Sequence, residues 1–215
     1  MRLIVVGASG RVGRHVVQQA TEGGTTVVAL ARTPAHVPSG VVTSRLDLAD
    51  TTPHAVAELL HPHDVVVSCL GATGKGDIGI ATTGTRLLLA AMSEVGIRRL
   101  IAVSAAPVAG MHPEPGDTGE DALTRRVLNP VLRRVLRGAY ADLAVMETVL
   151  QTSQLDWTVV RPPRLTDGPL TGRYRIAVGA NLRHGRSISR ADLAHLLTRV
   201  PDDPSTIRQH LAVAY

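Results

Sequence analysis

At 215 residues, with 44% hydrophobic and 19% charged residues, the chain has the composition of one folded domain spanning 1–215 rather than of a disordered or low-complexity polymer. Phenylalanine is absent and the aromatics are Tyr140, Trp157, Tyr174 and Tyr215, which excludes a base-stacking nucleic-acid platform and leaves Val, Leu, Ile and Ala to fill the core. The formal charge of +5 comes from 23 basic against 18 acidic residues, with Lys75 the only lysine, so it favours small anionic ligands and falls short of a nucleic-acid-binding patch.

The first apolar run, residues 3–6, passes directly into Gly7-Ala8-Ser9-Gly10-Arg11-Val12-Gly13, and a helix is predicted over 11–22, stopping at Gly23-Gly24. The run is too short for the apolar region of a signal peptide. No stretch approaches the roughly 20 apolar residues of a membrane span. A lone Cys69 and the lack of zinc-like Cys/His spacing give no sign of an oxidising compartment, so the expected location is the cytoplasm. A GxxGxxG between a strand and a helix has a physical reading. The first glycine allows a tight turn, the second lets backbone approach a pyrophosphate, and the third lets the helix pack close to the strand. Residues 7–13 are therefore candidates for holding a dinucleotide.

A second strand is predicted over 27–31, followed by Arg32-Thr33 where an acidic residue would hold the ribose hydroxyls of NAD(H). An arginine there, with no carboxylate, suits a 2′-phosphate, because its planar fork grips two oxygens. This favours NADP(H), with Arg11 able to add charge. A third strand over 41–46 leads into Asp47-Leu48, and Asp47 can accept from an adenine amino group or serve as a turn residue. A helix over 52–60 and a strand over 65–70 follow. Cys69, Leu70, Gly71 and Ala72 at that strand's end are small enough for the chain to pass beside the adenosine. The stretch Gly71-Ala72-Thr73-Gly74-Lys75-Gly76 has the outline of a phosphate-binding P-loop but fails its pattern. Cys69 stands five before Gly74, and Gly76 follows the lysine.

A helix over 81–95 and a strand over 100–103 complete the next unit, placing Ser104 at a strand's C-terminal end. Two long connections then interrupt the rhythm, residues 105–118 and the tail from Pro162 onward, both in the position of lids or binding loops. Between them lies an amphipathic basic stretch, 125–137, where Asn129 can cap and Pro130 start a helix. This stretch is either a solvated face or a surface for an anionic partner. A helix over 140–151 and a strand over 157–160 close the pattern. Continuous rather than alternating apolar runs mean strands covered on both faces. The fold class is therefore α/β, a Rossmann-type doubly wound parallel sheet with a small C-terminal elaboration on the substrate side. Among the histidines, His112 and His184 are placed to reach a pocket. The pair in His61-Pro62-His63 lacks a third ligand, so no metal is expected.

The glycine turn, Arg32, Asp47, residues 69–72, Val103-Ser104-Ala105, Trp157-Thr158-Val159-Val160-Arg161-Pro162 and Ile188-Ser189-Arg190-Ala191-Asp192-Leu193-Ala194 together resemble the atypical short-chain dehydrogenase/reductase superfamily, in particular its NmrA-like and biliverdin-reductase-B-like (flavin reductase) branches. The resemblance implies that the glycine loop holds the pyrophosphate and that the arginine after strand two holds the 2′-phosphate. It also implies that Ser104, Pro162 and Pro163 lie near the nicotinamide. Many members use a Tyr-x-x-x-Lys pair to move a proton. That pair is absent here, because Ala144 stands four residues after Tyr140 and Lys75 is far from any tyrosine. Ser104 and Tyr140 remain the candidate catalytic residues.

Without a proton-donating pair, the expected activity is NADPH-dependent hydride transfer to a flavin, a quinone or a similar small acceptor, which takes its protons from water. Arg161, Arg164 and Arg173 would attract an anionic acceptor. The alternative implied by the NmrA-like resemblance is a non-catalytic NADP(H) sensor acting through a protein partner. A third reading, a carbonyl reductase or epimerase, would use Tyr140 as its acid.

Overall fold

The computed structural model describes residues 2–62, 64–109 and 130–215. In chain order the elements are β1 (Arg2–Val6), α1 (Gly13–Glu22), β2 (Thr26–Ala31), β3 (Val42–Arg45), α2 (Pro53–Ala57), β4 (Asp64–Ser68), α3 (Ile80–Val95), β5 (Arg99–Val103), α4 (Ala106–Ala109), α5 (Pro130–Gln151), β6 (Asp156–Arg161), β7 (Arg164–Thr166), β8 (Arg175–Val178), β9 (Ser187–Ser189), α6 (Arg190–Arg199) and β10 (Gln209–Ala214). Eight strands form one sheet in the order β3-β2-β1-β4-β5-β6-β10-β8, parallel except where β8 pairs antiparallel with β10. The strand order reverses between β1 and β4, the place where open α/β sheets open a crevice for ligands.

The doubly wound architecture follows from what each strand buries. Along β1, Leu3 and Val5 join the core beneath α1 and α6, with Val16, Val17, Leu193 and Leu197. Ile4 and Val6 point the other way, into the core shared with α2, α3 and α5 through Val56, Leu88, Met92, Met146 and Leu150. A period of two that is apolar on both phases gives two cores on one sheet. Burying each Val, Leu or Ile is worth about 1.5–3 kcal/mol, so an aliphatic interior suffices without phenylalanine.

Several predicted boundaries move. Helix α1 begins at Gly13 rather than 11, because residues 10–12 are still completing the glycine turn. Helix α2 starts behind a Thr52 cap with Pro53 at its first position and ends at Ala57. The amides of Leu59 and Leu60 instead bond to Val56 O and Ala57 O in a tightened last turn. Helix α5 begins at Pro130, the start the sequence offered, and runs without a break through the separately predicted helix over 140–151. The Asn129 cap lies outside the described residues. Within the 105–118 connection, residues 106–109 are helical and 110–118 lie outside the described residues.

The tail from Pro162 is the larger correction. It carries four strands and a helix rather than one long connection. Strand β10 extends the parallel sheet beside β6, β8 closes its edge, and β7 with β9 form a separate two-stranded parallel ribbon. Burial drives this. Residues His210 to Ala214 are all buried in β10, and α6 lays Leu193, Leu196 and Leu197 onto the α1 side of the sheet.

Candidate cofactor-binding site

The turn from β1 to α1 is wedged between the ends of β2 and β4. Gly7 adopts φ +76°, and its amide and that of Ala8 both donate to Leu30 O, at 3.0 and 3.2 Å. A Cβ at Gly7 would stand 3.0 Å from Cys69 O. The Gly10 amide closes the turn by donating to Gly7 O at 2.9 Å. Gly13 is the tightest position, since a Cβ there would collide with Gly7 O and lie 2.9 Å from Ala8 Cα. Each glycine thus answers a steric demand local to the turn.

What the turn leaves open decides its chemistry. Val12 precedes α1 without giving it a side-chain cap, and the first turn of the helix carries no acidic residue. Among the described residues no side chain caps this helix end; the Arg14 amide bonds back to Gly10 O at 3.0 Å, and the amides of Ser9, Val12 and Gly13 remain as donors at the positive end of the helix dipole. A diphosphate could supply acceptors for these amides. The amides of Ser9, Val12 and Gly13 are the ones that would hold it, while Gly7, Ala8 and Gly10, whose amides are bonded inside the protein, would shape the turn around it.

Arg11 leaves this loop in another direction. Its Nη2 donates to Asp167 Oδ2 at 2.7 Å, and Asp167 also accepts from Arg190 Nη1 at 2.6 Å. The carboxylate just after β7 thereby ties the glycine turn to the start of α6.

Arg32, one residue past β2, has a side chain 61% exposed and pairs with Asp77 through Nη1 at 3.3 Å. Thr33 is extended and begins a short 3-10 turn, Pro34–His36. Asp47 uses Oδ1 to accept from the Ala49 amide at 3.2 Å, the local bond of an Asx turn. Leu48 is buried. It converges with Leu70 on Gly84 of α3, where a Cβ would lie 2.9 Å from Leu48 Cδ1. Both leucines thus pack into the core against α3. Cys69 stays a thiol, because burial pushes its pKa up to about 12.

Along the same edge of the sheet, just after β5, Ser104 is buried and its hydroxyl donates to Glu147 Oε1 at 2.5 Å. Glu147 also receives Arg161 through two bonds, Nε to Oε1 at 3.1 Å and Nη2 to Oε2 at 2.5 Å, while His210 Nε2 stands 3.6 Å from Oε2. Arg161 is thereby committed to the interior, which leaves Arg164 and Arg173 as the exposed arginines of the three expected to draw an anionic acceptor. The Pro162 carbonyl is taken by the Ala106 amide at 2.8 Å, joining the loop after β5 to the loop after β6.

Tyr140 is half-buried on α5, and burial raises its phenol above the ordinary value. No hydrogen bond engages its hydroxyl among the described residues. His184 sits at φ +59° in the turn before β9. His112 and His63 lie outside the described residues. Among the described residues no group of three or more His, Cys, Asp or Glu is arranged to hold a metal ion, and no helix is long and apolar enough to cross a membrane.

Sequence reasoning missed three buried carboxylates that organise these loops. Glu147 is the partner a buried strand arginine requires. Asp142 on α5 caps α3 across the helix pair, accepting from the amides of Ala81 at 3.1 Å and Thr82 at 3.0 Å. Asp192 on α6 accepts from the Thr171 and Gly172 amides, both at 2.8 Å, and from the Tyr215 hydroxyl at 2.6 Å. The apolar neighbours of each were the available signal, since an acid inside an apolar helical stripe needs donors.

Comparison with known proteins agrees with this geometry. An NAD(P)H-binding family model matches residues 7–204, starting at the first glycine of the turn. The UPF0659 protein C216.03 of Schizosaccharomyces pombe is 31% identical over 188 residues, covering 80% of this chain and 74% of that protein. The UPF0659 protein YMR090W of Saccharomyces cerevisiae is 28% identical over 211 residues, covering 92% and 85%. The fold matches the oxidoreductase ylbE from Lactococcus lactis with TM-score 0.80 at 22% identity, covering 100% of this chain and 90% of that one. It also matches ChuY, an anaerobillin reductase from Escherichia coli O157:H7, with TM-score 0.78 at 22% identity, covering 100% and 97%. With the glycine turn, the open helix end and the reversed strand order in agreement with that match, the chain belongs to the NAD(P)H-binding family of Rossmann-fold proteins.

Proposed function

We propose that the chain is a reductase that takes hydride from NADPH and delivers it to a flavin, a quinone or a similar small acceptor. The observation that carries this reading is the uncapped, acid-free N-terminus of α1 behind the Gly7 turn, with Arg32 standing at the end of the neighbouring strand. NADPH supplies the hydride when bound. The turn amides would hold its diphosphate, and Arg32 would read the 2′-phosphate.

The lack of a Tyr-x-x-x-Lys pair supports an acceptor of this class. The Ser104 hydroxyl donates into a buried carboxylate, and Tyr140 has Ala144 where a lysine would lower its pKa. A ring that accepts hydride and takes its proton from water needs positioning more than acid catalysis. The loops after β5 and β6, joined by the bond from the Ala106 amide to the Pro162 carbonyl, would form the wall of its slot. Ser104 and Tyr140 would line that slot rather than transfer protons.

The test is NADPH oxidation followed at 340 nm with FMN, riboflavin, naphthoquinones and small aldehydes as acceptors. Turnover of a flavin or quinone that survives in Tyr140→Phe supports the proposal. Turnover of aldehydes that disappears in Tyr140→Phe points to a carbonyl reductase instead. Tight NADPH binding with no turnover of any acceptor supports a second reading, an NADP(H) sensor with a protein partner, which the inward-facing Ser104 hydroxyl also fits.

A further inference from the structure

We propose that Asp77 sets how strongly the chain discriminates NADPH from NADH. The inference rests on the reading of Arg32 as the 2′-phosphate contact and adds a second residue to it. By sequence, the end of β2 offers a cation and no carboxylate. In three dimensions a carboxylate is present after all, supplied by the turn that follows β4, with Asp77 Oδ1 3.3 Å from Arg32 Nη1.

Asp77 is fixed by its own loop. Its Oδ2 accepts from the Thr73 amide at 3.3 Å and from the Thr73 hydroxyl, and its amide bonds to Gly74 O at 3.1 Å. The hydrogen bond from Thr73, followed by that from Arg32, holds the carboxyl below the usual range, so it is ionised at neutral pH. Around it, a Cβ at Gly74, Gly76 or Gly79 would meet nothing within 4 Å, so the loop borders open space rather than packed core.

Two consequences follow for a ligand whose ribose lies against β2. Asp77 occupies one nitrogen of the guanidinium, and the remaining donors of the fork stay available to a phosphate. A 2′-phosphate with about 1.5 to 2 negative charges would then sit beside a fixed negative charge. A free ribose hydroxyl would instead find in Asp77 an acceptor. The carboxylate therefore lowers affinity for NADPH and supports NADH, opposing Arg32 and narrowing the preference between the two.

The experiment measures dissociation constants for NADPH, NADH, adenosine 2′,5′-bisphosphate and ADP in wild type, Asp77→Asn, Asp77→Ser, Asp77→Glu and Arg32→Ala, with thermal melting to confirm folding. Removing one like charge near the phosphate is expected to raise the NADPH to NADH affinity ratio about threefold to tenfold in Asp77→Asn and Asp77→Ser, with less gain at high salt. Asp77→Glu keeps the charge and stays near the wild-type ratio. The bisphosphate and ADP pair should show the same shift, which excludes an effect at the nicotinamide end. A ratio that is unchanged or lower in both neutral variants overturns the inference. If Arg32→Ala abolishes the NADPH preference in that case, the Arg32 reading stands and the Asp77 inference alone fails. If Arg32→Ala leaves the preference intact, the Arg32 reading fails as well.

Discussion

Glu147 on α5 and Arg161 on β6 meet as a two-point ion pair in the interior, their side chains 1% and 4% exposed. Ser104 donates to the same carboxylate, so one acid joins the long helix to the ends of β5 and β6. A buried pair of this kind adds little beyond what apolar packing would give, but removing one partner strands the other charge. Glu147→Ala is expected to cost about 3–5 kcal/mol of stability, read as a lower urea midpoint. An unchanged midpoint would show that Arg161 finds another counter-charge.

The glycine turn predicts a more local effect. Gly13→Ala places a methyl group against Gly7 O and Ala8 Cα, and Gly7→Ala forces an L residue into φ +76° beside Cys69 O. Strain of about 1–3 kcal/mol at such a position persists only if the surroundings hold it. Each variant should weaken NADPH binding at least about tenfold, because the turn must shift away from the α1 axis. Fluorescence titration of NADPH decides this. Wild-type affinity in Gly13→Ala would mean that the turn does not contact the cofactor.

Cys69 is expected to be inert. A thiol whose pKa is about 12 carries almost no thiolate at pH 8, and thiolate is the reactive form. An aromatic disulfide reagent should titrate no thiol in the native chain at pH 8 and one after denaturation. One rapid equivalent in the native chain would contradict the raised pKa.

Asp192 carries a prediction about acid. Burial by itself would raise its carboxyl, but the hydrogen bonds from Tyr215, Thr171 and Gly172 outweigh burial and hold it below the usual range. A carboxyl depressed on folding contributes stability above its unfolded pKa of about 3.9 and loses it as pH falls through the folded value. The stability difference between wild type and Asp192→Asn should therefore be constant from about pH 5 to 8 and shrink below about pH 4. A gap that widens in acid would reverse the assignment.

How much was legible beforehand depends on sequence distance. The glycine turn could be read because its pattern lies within seven consecutive residues after one strand, although Leu30 and Cys69, which crowd it, leave no local trace. Strands β1, β2, β4, β5 and β6 could be read from nearly continuous apolar runs, whereas β3 is polar at Thr43, Ser44 and Arg45. Strand β10 escaped because its apolar run covers only Leu211 to Ala214, behind the short strands β7 to β9 and helix α6. Helix α5 was read in two pieces, one starting at Pro130 and one over 140–151, because Gly138 stands between them. Neither the pairing of Arg32 with Asp77, 45 residues apart, nor that of Arg11 with Asp167, 156 apart, leaves a local trace. The first of these changes the meaning of a site residue that sequence alone had identified.

The central claim is that the end of α1 binds the diphosphate of a nicotinamide dinucleotide, with Arg32 reading the added phosphate. Isothermal titration of NADPH and NADH into the purified chain tests it most directly. The account predicts saturable one-to-one binding of both, tighter for NADPH. The absence of binding heat for either nucleotide, across temperatures that rule out a coincidental zero enthalpy, would contradict it.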